Sequence, residues 1–342
     1  MDIQRVYRIG LQQRIRRQNL VTLALVATLL ALSYLMLSIG QTRYSALDML
    51  AILTTGGSHK GYFALVTLRL PRMLAGILSG LAFGMAGSAF QTLLRNPLAS
   101  PDMIGINAGA SAAAVFGILV LKWSGLPLSI LSVVLGLVTA LVIYQLSSGH
   151  YFSQNRLVLI GISVQAALSA LTSMLLLQAS QYDVATAMRW LSGSLQTIRL
   201  VEIWPLAVAV ATAGIFLMGF QRHLNLLALG DELSTALGLG AHKSRLLIII
   251  CAVILTAFAT ALTGPIAFVA FLSGPIAKSL VGRGEGHPLI SGLMGATIIM
   301  GSDLIGQHLL ATKLPVGVIT GIVGAPYLLW LLVKYHKRGG IA

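Results

Sequence analysis

The sequence predicts an all-α, polytopic membrane protein with ten transmembrane helices and both termini in the cytoplasm, and three observations carry that prediction. Hydrophobic residues make up 56% of the 342 and charged ones only 9%, with a mean hydropathy of +0.88. So little charge cannot coat a soluble globule of this size. Apolar runs of roughly 17 to 25 residues, the length that crosses a bilayer as a helix, recur along the whole chain. The lysines and arginines behind the formal net charge of +14 sit mainly in the short connections between those runs. In a soluble chain that charge would point to nucleic acid; here membrane orientation accounts for it, and no nucleic-acid partner is expected. Residues 1–342 read as one transmembrane domain.

From the amino end, MDIQRVYRIGLQQRIRRQNL brings five arginines before an apolar run of about twenty residues, longer than a signal-peptide core and without a small-residue cleavage site. Residues 1–19 are therefore a basic cytoplasmic segment and 20–40 a retained first span. Further spans are expected near 74–94, 103–121, 126–147, 157–178, 200–220, 246–263, 265–281, 288–309 and 315–334. The eighth is the shortest and is interrupted by Gly274 and Pro275. With the N-terminus inside, fifteen of the 23 lysines and arginines face the cytoplasm, Arg95, Arg245, Lys278, Arg283, Lys337 and Arg338 among them. Arg43, Lys60, Arg69, Arg72 and Lys313 are among the eight outside. That excess is the positive-inside signature.

Small residues mark two spans. Gly76, Gly80, Gly84 and Gly87 recur every three or four residues on the second, and Gly317, Gly321 and Gly324 run along the tenth. Such a stripe lets helix backbones approach closely. It serves either packing within the bundle or a smooth wall along a translocation path. Between the second and third spans, RNPLASPDMIGI holds Pro97 and Pro101, which drive Asn96 and Ser100 away from helix and make a tight, irregular cytoplasmic turn.

The longest polar-containing stretch in the second half is LNLLALGDELSTALGLGAHKSR, Leu224 to Arg245, within a loop over 221–245. Leu233, Ala236 and Leu237 recur at helical spacing. Gly230 precedes Asp231 and Glu232, which suit a first turn, and Gly238 and Gly240 suit a helix end. A helix of about two turns is not stable alone and needs a surface to lie in. The stretch reads as a cytoplasmic docking element, with a plain interfacial connector as the other reading.

Few residues could carry chemistry. No HExxH, Walker A loop, or His/Cys cluster at metal spacing is present, and Cys251 is the single cysteine. No catalytic residue, metal site or cofactor is expected. Asp303 is the one acidic residue well inside an expected span, either a coupling group or a carboxylate hydrogen-bonded near Ser302 and Gln307. At the outer entrance of the second span, TLRLPRM places Arg69 and Arg72 three residues apart. They either anchor the helix end or offer fixed positive charge to carboxylates of an external partner, a task that suits guanidinium forks. An ion-coupled secondary transporter of a small solute would need a buried ion relay, of which Asp303 is the visible fragment. An intramembrane hydrolase would need a base for Ser111 or Ser163, and no histidine lies near the middle of an expected span.

The runs RLPRMLAGILSGLAFGMAG, QTLLRNPLASPDMIGINAGAS, LNLLALGDELSTALGLG, TGPIAFVAFLSGPIA and LPVGVITGIVGAPYLLWLL resemble, in this order, the permeases of ABC importers for iron-siderophores, haem and cobalamin, the FecCD family, and most of all a ferric-siderophore permease subunit. The resemblance implies a ten-span subunit of the bacterial cytoplasmic membrane that pairs with a second permease subunit around a central path. Two ATPase subunits dock inside, an external binding protein delivers the cargo, and the cargo is a ferric siderophore or related chelate. It implies ATPase coupling through Leu229, Gly230, Asp231, Glu232, Ala236, Leu237 and Gly238, and binding-protein docking through Arg69 and Arg72. Gly80, Gly84, Asp303, Gln307, Gly317 and Gly321 remain path or packing candidates. Many members carry Arg at Gln307 and Glu at Lys313, and Pro-His followed by Arg around Gly274, Pro275 and Lys278. These departures favour a homologous, non-identical partner permease.

Overall fold

The computed structural model describes residues 3–58, 60–147, 154–282 and 287–336. Arg283, Lys337 and Arg338, counted above on the cytoplasmic side, lie outside the described residues. Among those described, every regular element is helical. In chain order they are α1 (Ile3–Ser38), α2 (Ala46–Thr55), α3 (Phe63–Leu93), α4 (Ile106–Leu119), α5 (Leu126–Ser147), α6 (Gln154–Leu177) and α7 (Gln181–Leu191). There follow α8 (Leu200–Gly219), α9 (Gln221–Leu227), α10 (Asp231–Ala236), α11 (Ala241–Thr263), α12 (Val269–Val281), α13 (Pro288–His308) and α14 (Val316–His336).

Eight of these helices, α1, α3, α5, α6, α8, α11, α13 and α14, are long and apolar enough to cross a bilayer. The third and eighth expected spans are helical for only 14 and 13 residues, as α4 and α12. Local backbone explains both. Before α4, Pro101 opens a short 3-10 turn and Gly105 takes the left-handed conformation at φ 67°. Before α12, Gly264 (φ 71°) and Phe268 (φ 65°) leave the helical region around Pro265. The break expected at Gly274 and Pro275 thus falls earlier, at 264–268, and α12 runs through Pro275. That irregular backbone is satisfied within the protein, as lipid requires. The Ser194 amide donates to the Thr263 carbonyl (2.8 Å), and the Gly317 amide to the Gly193 carbonyl (3.2 Å).

The second span is longer than its apolar core suggested, running 31 residues and so about 46 Å. Its outer end, Phe63–Arg69, is a π-helical stretch. Pro71 lacks an amide hydrogen and crowds the carbonyl four residues back, at Thr67, so a widened turn there is the local solution. Within its most apolar window α3 is 78% buried, against 11% for α6, which makes α3 the hub. It packs chiefly on α13, then on α11 and α12.

The glycine stripe is what permits this. A Cβ at Gly80 would overlap the Ala296 backbone, one at Gly84 the Ser291 carbonyl, and one at Gly87 the Ala270 carbonyl. Gly80 and Gly84 are therefore packing residues against α13. Gly317 is likewise closed off by the Ser192 carbonyl, whereas nothing approaches Gly321 within 4 Å. Buried hydroxyls on these helices return their protons to the chain one turn back: Ser79 to Ala75, Thr92 to Ser88, Thr256 to Ala252 and Ser273 to Val269. These four hydroxyls are thereby satisfied within their own helices. Gly84→Ala is expected to cost about 1–3 kcal/mol through overpacking, while Gly321→Ala is neutral or slightly stabilising because alanine favours helix. Thermal unfolding in detergent should show a lower Tm for the first only.

Candidate functional site

The loop over 221–245 folds as the spacing predicts, into a short helix with glycine at either end. Gly230 sits at φ 116° and Gly238 at φ 84°, conformations that residues with a Cβ rarely adopt, and α10 lies between them. Leu224 and Leu227 of α9 are buried in the main core, and Ser234 of α10 is fully buried. Those residues fasten the element to the body. Outward, Leu229, Leu233 and Leu237 are 56%, 57% and 58% exposed. Leu233 and Leu237, four positions apart, share one face of the short helix, and Leu229 is exposed just ahead of Gly230, an apolar patch unlike an ordinary solvated loop. Ala236, Gly238 and Glu232 are also exposed.

Asp231 behaves differently from Glu232, with which the sequence grouped it. Its Oδ1 receives Arg245 from the base of α11, and Arg95 from just beyond α3 at 3.5 Å. Arg245 is almost wholly buried. The carboxylate, about half exposed itself, ties the short helix to both arginines.

Arg69 and Arg72, read as helix anchors or as charges for an external partner, are both engaged within the chain. Arg69 donates to the backbone carbonyls of Leu37 (2.6 Å), Ser38 (3.2 Å) and Thr42 (2.6 Å) and lies 5.0 Å over the Tyr44 ring. It ties down the connection between α1 and α2. Arg72 forms a bidentate pair with Asp303, Nε to Oδ2 and Nη2 to Oδ1, both at 2.7 Å. Asp303 is only 2% exposed. Its partner is thus not a near neighbour such as Ser302 or Gln307 but a residue 231 positions away. Arg69, Arg72, Asp303, Gln307, His308 and Lys313 line one outer cavity of about 350 Å³. The side-chain nitrogen of Gln307 is buried there and finds no acceptor among the described residues. The cavity presents more positive than negative charge.

Two features had no counterpart in the sequence reading. On α6, Gln165, Ser169 and Ser173 recur every four residues, and all three are exposed, as is Ser163. An amide turned to hydrocarbon is costly, so this row marks a face that meets water or protein. The periodicity was available in the sequence, masked by the high mean hydropathy of the span. The other is a polar cluster beside the start of α4. Asn107 donates to Asp102, the Ser100 hydroxyl reaches Asp102 at 3.3 Å, and the Thr260 hydroxyl donates to Asn107 at 2.7 Å. It pins α4 to α11. Asp183, at the start of α7, accepts from Lys122 (2.7 Å) and Ser180, and those hydrogen bonds hold its carboxyl below the usual range.

Comparison with known proteins places this arrangement. The sequence profile of the FecCD transport family matches residues 26–334. The ferric enterobactin transport system permease protein FepG of Escherichia coli (strain K12) is 37% identical over 271 residues, covering 79% of this chain and 82% of that protein. The iron(3+)-hydroxamate import system permease protein FhuG of Bacillus subtilis (strain 168) is 30% identical, covering 88% of this chain and 93% of its own length. Among solved structures, a metal-chelate type ABC transporter in an inward-facing conformation superposes with a TM-score of 0.82 at 25% identity, over 92% of this chain and 99% of the other.

Proposed function

This chain belongs to the FecCD transport family, and from that membership and its two docking faces we infer that it is the permease subunit of an ATP-driven importer for ferric siderophores or related iron chelates. It is a transport component rather than an enzyme. The observation that carries the reading is the exposure of Leu229, Leu233 and Leu237 on and beside a glycine-bounded helix fastened to the core. An apolar patch on the inner side suits a cleft in an ATPase partner, and such a short helix needs that cleft to be held firmly.

In this reading the subunit sits in the bacterial cytoplasmic membrane with ten spans, α4 and α12 serving as the two short ones, and with both termini inside. Two ATPase subunits dock beneath a pair of permeases, and an external binding protein delivers the cargo above. The second permease is homologous and not identical, which suits the departures at Gln307 and Lys313. The polar row on α6 faces the path or that partner, where Gln165 can be satisfied. The path binds its cargo weakly, since a tight site would not release it, and alternating access follows from rocking the spans against one another. An ion-coupled carrier is the poorer reading, because Asp303 is held by Arg72 rather than left to take up and release a cation.

Reconstituted with its ATPase pair, partner permease and binding protein, the subunit should move ferric chelates into vesicles only when ATP is hydrolysed. Accumulation under an ion gradient with no ATPase present would overturn the reading. At the outer face, Lys313 is exposed beside the cationic cavity. Lys313→Glu should slow association of the loaded binding protein, most strongly at low salt where charge is least screened. An association rate unchanged at every ionic strength would mean that this face is not where the binding protein lands.

A further inference from the structure

We propose that Asp231 is a positioning residue that passes displacement of the docking helix to the hub helix α3 through Arg95. The inference rests on the motor-driven reading above and assigns a role within it. On the helix Asp231 shares a face with Ser234, three positions on, and lies away from Leu233. Ser234 is fully buried, and the Asp231 side chain, about half of whose surface stays exposed, turns its Oδ1 to the body from there. There its Oδ1 joins three elements: α10 itself, Arg245 at the base of α11, and Arg95 at the inner end of α3.

The backbone at this junction is built for that contact. Arg95 holds φ 46°, a left-handed conformation unfavourable for a residue with a Cβ, and its guanidinium lies 3.6 Å from where a Cβ on Gly230 would stand. Just beyond it, the Asn96 amide donates to the Gln91 carbonyl and the Asn96 side chain accepts from the Leu98 amide, which braces the turn against α3. Movement arriving at Arg95 meets a helix locked by glycine contacts to α12 and α13. Such a helix transmits a shift as a body, because packed interfaces do not deform continuously. At its far end Arg72 grips Asp303 of α13. α3 thus carries an ion-paired arginine toward each face of the subunit.

The test uses the assembled importer in vesicles, with ferric enterobactin, a ferric hydroxamate and ferric dicitrate as cargo probes, and reads chelate moved per ATP hydrolysed. Asp231→Asn and Arg95→Gln should each lower that ratio about tenfold, and the double variant should be no worse than the poorer single, as expected for two residues acting through one contact. Asp231→Glu should restore most of the ratio. Arg95→Lys, which keeps the charge and loses the fork, should fall between and serves if Asp231→Asn does not assemble. Additive losses, or a lowered Tm with the ratio unchanged, would overturn the assignment. So would loss of ATPase retention on the Asp231→Asn subunit, which would make it a gripping residue. Uptake by the wild-type importer without its ATPase pair would instead sink the motor-driven reading itself.

Discussion

Leu233→Asp is expected to abolish ATP-driven uptake while leaving the Tm of the isolated subunit unchanged. Leu233 is the middle of the three exposed leucines and 57% accessible, so replacing it removes little from the core of the subunit. Surface substitutions of this kind usually change stability by no more than about 0.5 kcal/mol. In the complex the same side chain is to be enclosed by the ATPase cleft, and a central apolar anchor of an interface is worth about 2–4 kcal/mol, or a weakening of roughly 30- to 1000-fold. A carboxylate there adds the cost of desolvating a charge. Retention of the ATPase pair on the tagged subunit and chelate uptake into vesicles should fall together. Glu232→Gln, on the same short helix but outside the apolar patch, should change retention far less. Full retention by the Leu233→Asp subunit would mean that the patch is not the docking surface, and the ATPase would then have to be sought elsewhere on the inner side.

How much of this was legible in the sequence depends on the range over which the physics acts. The short helix over 231–236 was readable because its signals are local: Leu233 and Leu237 four apart, acidic residues in a first turn, and glycines where the backbone takes positive φ at 230 and 238. The glycine stripe on α3 was readable as a close-packing face for the same reason, although only the fold shows that its partners are Ala270, Ser291 and Ala296. Hydropathy located α4 and α12 but overstated their helical length, because it counts apolar residues and is blind to the turns at Gly105 and Gly264–Phe268. Ion pairing was not legible at all. Arg72 and Asp303 lie 231 positions apart, and Arg95 and Asp231 lie 136 apart. Charge alone made Arg69 and Arg72 look alike, whereas their partners separate them, the first binding backbone carbonyls and the second a carboxylate.

The pair at the outer end of α3 carries the second large effect. Arg72→Leu should destabilise the subunit by about 3–5 kcal/mol, because it strands the Asp303 carboxylate in a site that is only 2% exposed. Asp303→Leu should cost less, since Arg72 keeps about a fifth of its side-chain surface accessible and can turn toward the cavity. The double variant Arg72→Leu with Asp303→Leu should regain most of the loss, as replacing both members of a buried pair by apolar residues of similar size is often close to neutral. Tm in detergent for the four proteins supplies the cycle. A double variant as unstable as Arg72→Leu alone would show that Arg72 stabilises the subunit through some other group. The same four proteins separate stability from docking. If the restored double variant still captures the loaded binding protein with wild-type affinity, Arg72 serves only to clamp α3 to α13, and the outer docking charge must come from Lys313 and its surroundings. If capture is lost while Tm is restored, the guanidinium edge that Asp303 leaves free is itself a docking group, and the buried carboxylate holds it in place for that purpose.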